Sequence, residues 1–278
     1  FDAHPRLSVR VATPAAAKAA IEHGADAVYV GGEAFRPNRP WTLTDYQDVL
    51  ATADGRAKVV LQTPRTTMRR ECGELEQFFT GLTNWERQPD GILVSNLGAL
   101  KLAKTLTELP VQADVSFNLF NHLAARFLKE NGLTMACASL ELSFEQLREI
   151  VESSELPIEV IIHGSYESMI CDHDFIGMNV KYNELDNPEL LDRHFALKDR
   201  AGELHRLRID QFGRTHIYFA NDLCLYPYLA KMGGIASYRI EAQDYDADLT
   251  ATVTWMYRKA LNELAAGREV MAFDDQMF

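Results

Sequence analysis

Residues 8–31, SVRVATPAAAKAAIEHGADAVYVG, have the pattern of one complete strand–helix–strand unit. The two ends, SVRVA and AVYVG, are short and rich in valine, which is typical of buried strands. The middle, residues 14–24, is rich in alanine. It follows Thr13, begins with Pro14 and ends at Gly24, as helices commonly do. Parallel strands need such a crossover between them, so this segment predicts an α/β fold.

The same alternation continues along the chain. Strands are predicted at 8–12, 27–31, 58–62, 91–95, 111–116, 135–139, 158–163 and 235–240. Helices are predicted at 14–24, 42–54, 71–86, 97–108, 121–131, 143–154, 221–232 and 247–266. Thr13, Asn96, and Ser143 with Gln146 mark three of the helix starts. Eight strand–helix units in 278 residues predict a single TIM-like (β/α)8 barrel domain over 1–278.

One segment, residues 165–220, interrupts this alternation after the seventh strand. It contains HFALKDRAGELHRLRI and RTHIYF, whose alternating polar and apolar residues predict strands around a turn at Asp199–Gly202. In (β/α)8 barrels, the loops after the strands form the C-terminal mouth, where active sites lie. The segment is therefore predicted to be a small β insertion that forms a flap over this mouth.

The composition restricts the class of partner. Lys and Arg number 28 against 40 Asp and Glu, and the net charge of −12 makes a nucleic-acid partner unlikely, because it repels phosphates. The longest apolar stretches are strand-sized, too short to span a bilayer. The four cysteines are tens of residues apart and match no zinc or redox spacing. Reduced thiols and the absence of a signal-peptide pattern favour a cytoplasmic protein.

Strand periodicity predicts a polar set of side chains around the barrel axis. Alternate residues of a strand share a face, and the polar set of the last four strands faces away from the apolar set that packs on helices. This set comprises Asp114, Asn118, Glu141, Glu159, His163, Arg239 and Glu241. It predicts either a polar cavity at the mouth or a satisfied polar network that fills the barrel. Buried charges need partners, so Arg239 is predicted to pair with one of the carboxylates.

The stretch HGSYESMICDHDF, residues 163–175, leaves three interpretations open. His163, His173 and Asp174 could hold a divalent metal, because imidazole and carboxylate groups suit zinc and related ions. Cys171 could be a nucleophile with His173 as its base. The third interpretation is a polar lid loop with the cysteine packed inside.

Several segments resemble peptidase family U32, the collagenase-like proteins, and the resemblance extends over nearly the whole chain. They are AIEHGADAVYVGG (20–32), DGILVSNLGAL (90–100), ADVSFNLFN (113–121), LELSFEQL (140–147), IEVIIHG (158–164) and NDLCLYPYLAKMGGIASYRIE (221–241). The resemblance implies a TIM-like barrel. It also implies either a peptidase that acts on collagen-like or other peptides, or an oxygen-independent hydroxylase of tRNA, ribosomal RNA or ubiquinone precursors. The hydroxylases carry a [4Fe–4S] cluster on four cysteines.

The positions that the resemblance assigns to the cluster cysteines hold other residues here. The first falls on Glu167 in one branch of the family and on Asp174 in another, and the last falls on Gly213. The middle two belong before ALKDRAG, yet residues 172–212 contain no cysteine. Cys171 alone, out of register, cannot hold a cluster that needs thiolate ligands. No iron–sulfur cluster is therefore expected, whereas a divalent metal stays an open alternative.

The favoured interpretation is a cluster-free U32-type hydrolase that acts on a peptide or a small polar molecule at the barrel mouth. Glu141 and Glu159 are the predicted acid–base carboxylates, and His163 is a predicted proton shuttle or metal ligand. The predicted substrate-binding residues are Asp114, Asn118, Asn121, Arg239 and Glu241. One alternative is a non-catalytic barrel that binds a ligand or a related barrel as a homo- or hetero-oligomer. Another is a hydroxylase-like enzyme with a different cofactor.

Overall fold

The computed structural model describes residues 4–182 and 195–270. Eight parallel strands close into a barrel with helices between them, which confirms the predicted fold. The barrel strands are β1 (Leu7–Val11), β2 (Ala27–Gly31), β3 (Lys58–Gln62), β4 (Gly91–Val94), β5 (Val111–Ala113), β6 (Met135–Cys137), β7 (Ile158–Gly164) and β13 (Ser237–Ala242). β13 lies between β7 and β1, and pairing of β6 with β7 closes the ring.

The helices pack outside this ring. They are α1 (Pro14–Glu22), α2 (Leu43–Ala53), α3 (Arg69–Gly81), α4 (Leu97–Leu106), α5 (His122–Glu130), α6 (Phe144–Ser153) and α8 (Ala247–Ala265). Another helix, α7 (Phe175–Tyr182), lies in the inserted segment, where Ile176 packs with Leu207 and Ile209. The three predicted helix starts are confirmed, since Thr13, Asn96 and Ser143 each accept a hydrogen bond from a first-turn amide. Among the residues that the structure describes, no helix combines the length and apolarity needed to cross a membrane.

The main apolar core lies between the strands and the helices and includes Val9, Val28, Ile162 and Ile240 of the strands and Tyr257 of α8. Inside the barrel, a smaller apolar cluster contains Tyr29, Val60 and Leu93. The rest of the interior is polar, as the strand periodicity of β13 predicts.

Two elements differ from the sequence-based prediction. The strand predicted at 111–116 ends at Ala113, because the Asp114 carboxylate accepts the backbone N–H of Val115 at 2.7 Å and the chain turns into a short 3₁₀ helix. The helix predicted at 221–232 is wrong. Its start is a two-residue strand, β12 (Leu223–Cys224), that pairs antiparallel with β7, and a 3₁₀ helix follows at Tyr226–Lys231.

A bulge in β7 reverses the predicted direction of His163. Arg239 pairs with Ile161 and Ile240 pairs with His163, so Ile162 is an extra residue in β7. His163 therefore lies on the side of Ile240, which packs against helices. The prediction that His163 shares the inner face with Glu159 is wrong for this reason.

The predicted insertion contains an antiparallel sheet of four strands. They are β8 (Glu167–Cys171), β9 (Phe195–Lys198), β10 (Leu204–Ile209) and β11 (Thr215–Tyr218), in the order β8–β11–β10–β9. The predicted turn is present, with the Gly202 amide donating to the Asp199 carbonyl at 3.2 Å. The Ser165 amide still donates to the Glu241 carbonyl at 3.3 Å, so the chain leaves the barrel after Ser165. The single-domain organisation over 1–278 and the limits 165–220 stay predictions, since 1–3, 183–194 and 271–278 lie outside the described residues.

Candidate functional site

A cavity of about 140 Å³ lies at the C-terminal mouth of the barrel. Barrel strands contribute Arg10 and Glu241 to its wall, and the four-stranded sheet contributes Glu167, His216 and Tyr218. At roughly 30 Å³ for each water of the bulk liquid, the cavity has the volume of about five water molecules. It can therefore hold a small polar molecule or one polar group of a larger ligand.

Arg239 forms the charged centre below this cavity. Its side chain is fully buried, and its guanidinium lies 2.7 Å from Asp114, 3.1 Å from Glu159 and 2.9 Å from Glu241. The predicted pairing of Arg239 with a carboxylate is confirmed, and three carboxylates take part. Three protein carboxylates surround the guanidinium. The geometry therefore does not support the predicted role of Arg239 in binding a substrate carboxylate.

Arg10 of β1 lies directly in the cavity wall and connects three carboxylates. Its terminal nitrogens lie 3.3 Å from Asp114, 3.6 Å from Glu33 and 3.7 Å from Glu241. Burial raises the pKa of both Glu33 and Glu241, although the neighbouring guanidinium groups oppose this rise. For Asp114, burial acts in the same direction, but Arg239 and Arg10 prevail and hold the pKa well below its usual range. The cavity thus contains carboxyl groups of two kinds, because the pKa of Asp114 is lowered whereas those of Glu33 and Glu241 are raised.

His216 carries a positive charge at the opposite wall. Its Nδ1 contacts a carboxylate oxygen of Glu167, and its Nε2 lies 3.2 Å from Asp210 Oδ2. Burial would lower the pKa of His216, but the hydrogen bonds to Asp210 and Glu167 raise it to about 9. Burial would likewise raise the pKa of Glu167, yet His216 and Arg65 lower it. At neutral pH, this wall is an imidazolium between two carboxylates.

The structure brings some of the predicted site residues together and separates others. Asp114, Asn118, Glu141 and Glu241 line the cavity, with Asn118 and Glu141 exposed at its rim. Glu159 lies deeper, fully buried, and accepts hydrogen bonds from Ser8 and Tyr29 at 2.7 Å each.

The remaining two predicted residues lie elsewhere. Asn121 caps α5 through the Ala124 amide at 2.9 Å, and His163 faces Tyr257 of α8. The predicted catalytic residues Glu141, Glu159 and His163 therefore do not form one constellation in this structure.

His163 is buried on the helix side of β7. Its Nδ1 lies 3.1 Å from the Tyr257 hydroxyl, and burial lowers its pKa to about 4, against a small opposing effect of Asp222. The imidazole is thus neutral in the folded protein and contributes to packing there.

The burial of a neutral His163 predicts that the folded protein loses stability as the pH falls below neutrality. The unfolded chain binds a proton at His163 near pH 6.5, whereas the folded protein does so only near pH 4. A lowered pKa stabilises the fold above pH 6.5 and ceases to do so as the pH falls. Relative to His163→Gln, wild type is therefore expected to lose about 2 kcal/mol of its free energy of unfolding when the pH falls from 7 to 5. Urea unfolding at several pH values measures it, and a difference independent of pH would contradict the burial of a neutral imidazole.

The three predicted metal ligands have other contacts. Asp174 accepts the amide of Gly177 at 2.7 Å at the start of α7 and lies 3.4 Å from Arg36. The His173 ring packs edge-on against Phe175, and His163 lies against Tyr257. Within residues 4–182 and 195–270, no group of three or more His, Cys, Asp and Glu side chains could hold a metal ion.

The residues present do not fit an iron–sulfur cluster. Glu167 is bound to His216 and Arg65, and Gly213 occupies a turn with φ of 78°. Cys137 lies 3.4 Å from an Arg239 nitrogen, and burial raises the pKa of its thiol well above the usual value, which disfavours the thiolate that a cluster needs.

Sequence reasoning missed several residues of the cavity, among them Arg10, Glu33, Arg65 and His216. A signal existed for Arg10, because an arginine between Val9 and Val11 in a buried strand requires charged partners inside the barrel. None existed for His216, whose partner Glu167 is 49 residues away and meets it only through the antiparallel pairing of β8 with β11.

Comparisons with known proteins identify one family and several relatives. The model of a family described as peptidase family U32 matches residues 12–277. The chain is 27% identical over 269 residues to the 23S rRNA 5-hydroxycytidine C2501 synthase of Escherichia coli (strain K12), with 93% of this chain and 39% of that protein covered. It is 26% identical over 262 residues to an uncharacterized protease of Methanocaldococcus jannaschii, with 90% of this chain and 63% of that protein covered.

A third relative, tRNA hydroxylation protein P1 of Bacillus subtilis (strain 168), is 26% identical over 277 residues, with 91% of this chain and 62% of that protein covered. The chain therefore spans between 39% and 63% of the length of these three relatives.

Proposed function

The chain belongs to peptidase family U32, and we propose that it hydrolyses an amide bond of a peptide or a small polar molecule by acid–base catalysis in the cavity at the barrel mouth. The observation that carries this proposal is the position of Glu33 and Glu241 on either side of Arg10, both lining one cavity. Burial raises the pKa of both carboxyl groups, so each holds a proton more readily than an exposed glutamate does.

The roles follow from charge and position. One of the two glutamates, ionised, accepts a proton from a water molecule whose oxygen attacks the carbonyl carbon. The other, protonated, donates its proton to the leaving nitrogen as the C–N bond breaks.

A cleavage assay tests this proposal. Wild-type protein is incubated with a set of short blocked peptides and simple amides, and the products are identified by mass spectrometry. Glu33→Gln and Glu241→Gln are each expected to lower the cleavage rate by at least about 100-fold, the usual contribution of a positioned acid or base. Glu203→Gln, an exposed residue of the β9–β10 turn, is the matched control and is expected to cleave like wild type.

The outcomes separate the candidate functions. Undiminished cleavage by the two cavity variants would contradict the roles given to Glu33 and Glu241. Cleavage of none of the compounds by wild type would contradict hydrolysis and favour a non-catalytic barrel that binds a related barrel or a ligand.

RNA hydroxylation is a second candidate, supported by the names of two of the relatives. The net charge of −12 disfavours it, because such a protein repels phosphates. Fluorescence anisotropy with labelled ribosomal and transfer RNA fragments at low salt distinguishes the two. Binding at micromolar concentration would favour the RNA-directed function.

A further inference from the structure

A second cavity, of about 240 Å³, lies where the ends of β2 and β3 approach helices α2 and α3. Aromatic rings form much of its wall: Trp41, Tyr46, Phe78 and Phe212. None of these residues lines the first cavity. The hydrolytic function proposed above makes no use of this site.

The aromatic wall is held in place by its own contacts. The Trp41 and Tyr46 ring centroids are 5.2 Å apart, and those of Tyr46 and Phe78 are 5.9 Å apart. The indole N–H of Trp41 donates to the Ala12 carbonyl at 2.8 Å, which fixes the ring. Aromatic rings attract cations through their electron-rich faces, so a wall rich in such rings suits a cationic ligand.

Gln62 supplies a buried acceptor to this cavity. Its side-chain nitrogen donates to the Gly31 carbonyl, so the orientation of the amide is determined, because the carbonyl can only accept. The other amide atom, Oε1, is buried and has no hydrogen-bond partner in the described parts of the chain. Gln62 is 4% exposed. A buried acceptor without a partner is costly, and a ligand with an N–H group would satisfy it.

Two glycines keep the site open. A Cβ atom at Gly31 would lie 2.4 Å from the Tyr46 hydroxyl, and one at Gly32 would lie 2.9 Å from Gln62. Both glycines also have positive φ, at 88° and 75°, a conformation that other residues rarely adopt. Any side chain at either position would displace Tyr46 or Gln62.

Two carboxylates line this cavity, and Arg70 lies 3.0 Å from one of them, Glu71. Glu74 is exposed there and forms no ion pair within 4–182 and 195–270. Glu71 also lines the cavity, but its carboxylate is bound by Arg214 at 2.6 Å and 2.8 Å. Arg214 lies over the Phe212 ring at 4.9 Å, and Asp210 and Asp172 further balance its charge. The groups that stay available to a ligand are therefore a carboxylate, an amide oxygen and aromatic faces.

We propose that this second cavity binds a primary alkylammonium group, of a small amine or of a lysine side chain. The aromatic faces and Glu74 attract the positive charge, and Gln62 Oε1 accepts an N–H hydrogen bond. A quaternary ammonium would leave Gln62 without a donor, and a carboxylate would meet acceptors alone. The volume suits a short alkyl chain with one ammonium group.

The test uses n-butylamine, with 1-butanol, butyrate and tetramethylammonium as comparison compounds. Binding is followed at pH 7 by ligand-observed NMR and by tryptophan fluorescence. The amine is expected to bind with a millimolar dissociation constant, at least about tenfold more tightly than each comparison compound. Binding of the alcohol or the butyrate as tight as that of the amine would overturn the proposal.

Variants locate the binding. Gln62→Met conserves volume and removes the acceptor, and Trp41→Leu removes one aromatic face, so each is expected to weaken amine binding at least about fivefold. Trp255→Leu is the matched control, since Trp255 is exposed on α8 and already lies beside Lys259. Circular dichroism is used to check that each variant is folded. Glu74→Gln, at an exposed position, tests the contribution of the Glu74 carboxylate to binding.

Glu241→Gln separates this site from the first cavity. The proposal expects amine binding to be unchanged in that variant. Loss of binding in Glu241→Gln with full binding in Gln62→Met and Trp41→Leu would place the amine in the first cavity and overturn the proposal.

Discussion

Replacement of Arg239 by Met is expected to lower the free energy of unfolding by about 3–5 kcal/mol at pH 7, the usual cost of breaking a buried ion pair from one side. The guanidinium is fully buried and lies within 3.1 Å of three carboxylates. Asp114 and Glu241 keep Arg10 as a partner, but Glu159 keeps only the hydroxyls of Ser8 and Tyr29. A domain whose whole stability is of the order of 5–15 kcal/mol loses a large share of it.

The pH dependence of this loss has a definite sign. In Arg239→Met, the carboxyl groups left without their cation take up a proton more readily, so their pKa in the folded variant rises. A raised pKa of an acid stabilises the folded state at low pH and ceases to do so as the pH rises through it. The deficit relative to wild type is therefore expected to be smaller at pH 5 than at pH 8. Urea unfolding followed by circular dichroism measures both values.

Two further variants complete this experiment. Arg148→Met removes an exposed cation of α6 that lies 3.6 Å from Glu152, and is expected to cost less than about 1 kcal/mol. Adding Glu159→Gln to Arg239→Met removes one of the stranded charges and is expected to restore part of the stability. A loss below about 1 kcal/mol in Arg239→Met itself would show that the carboxylates do not depend on this cation.

His216→Gln is expected to change the pH profile of stability on the alkaline side. The pKa of His216 is about 9 in the folded protein, against an ordinary value of 6.5. A raised histidine pKa contributes stability that is complete below pH 6.5 and is lost as the pH rises through about 9. The difference of about 2.5 pH units corresponds to about 3 kcal/mol. Relative to His216→Gln, wild type should therefore lose about 3 kcal/mol of its free energy of unfolding when the pH rises from 6 to 10.

His163→Gln provides the comparison, because its expected effect has the opposite sign and occurs on the acid side of neutrality. NMR titration of the His216 ring tests the same prediction directly. Parallel stability curves for wild type and His216→Gln from pH 6 to pH 10 would contradict a charged His216 between Glu167 and Asp210.

Local patterns were sufficient to predict most of the fold and part of the site. The caps at Thr13, Asn96 and Ser143 depend on contacts within one helical turn, and each is confirmed. The convergence of Asp114, Arg239 and Glu241 also followed from sequence, because alternation along a strand and the closure of a barrel place these residues at its axis.

The errors in the site occur where the chain departs from regular alternation. One extra residue in β7, Ile162, moves His163 from the predicted inner face to the side of Tyr257. The end of β5 at Ala113 means that Asn118 follows a 3₁₀ turn instead of a strand, although it still lines the cavity. A bulge and an early strand end depend on how neighbouring strands pair, and the pattern of residues within one strand contains no such information.

The sequence by itself determined most of the order of strands and helices, the barrel and the polar character of the axis, because these depend on periodicity and on short-range contacts. The tertiary structure alone decided the partners of His216 and Arg10. The pairing of β8 with β11 brings Glu167 to His216 across 49 residues, and the closure of the barrel brings Arg10 within 3.3 Å of Asp114 across 104 residues. Contacts between such distant residues follow from the register of strand pairs, and register is a property of the folded chain as a whole.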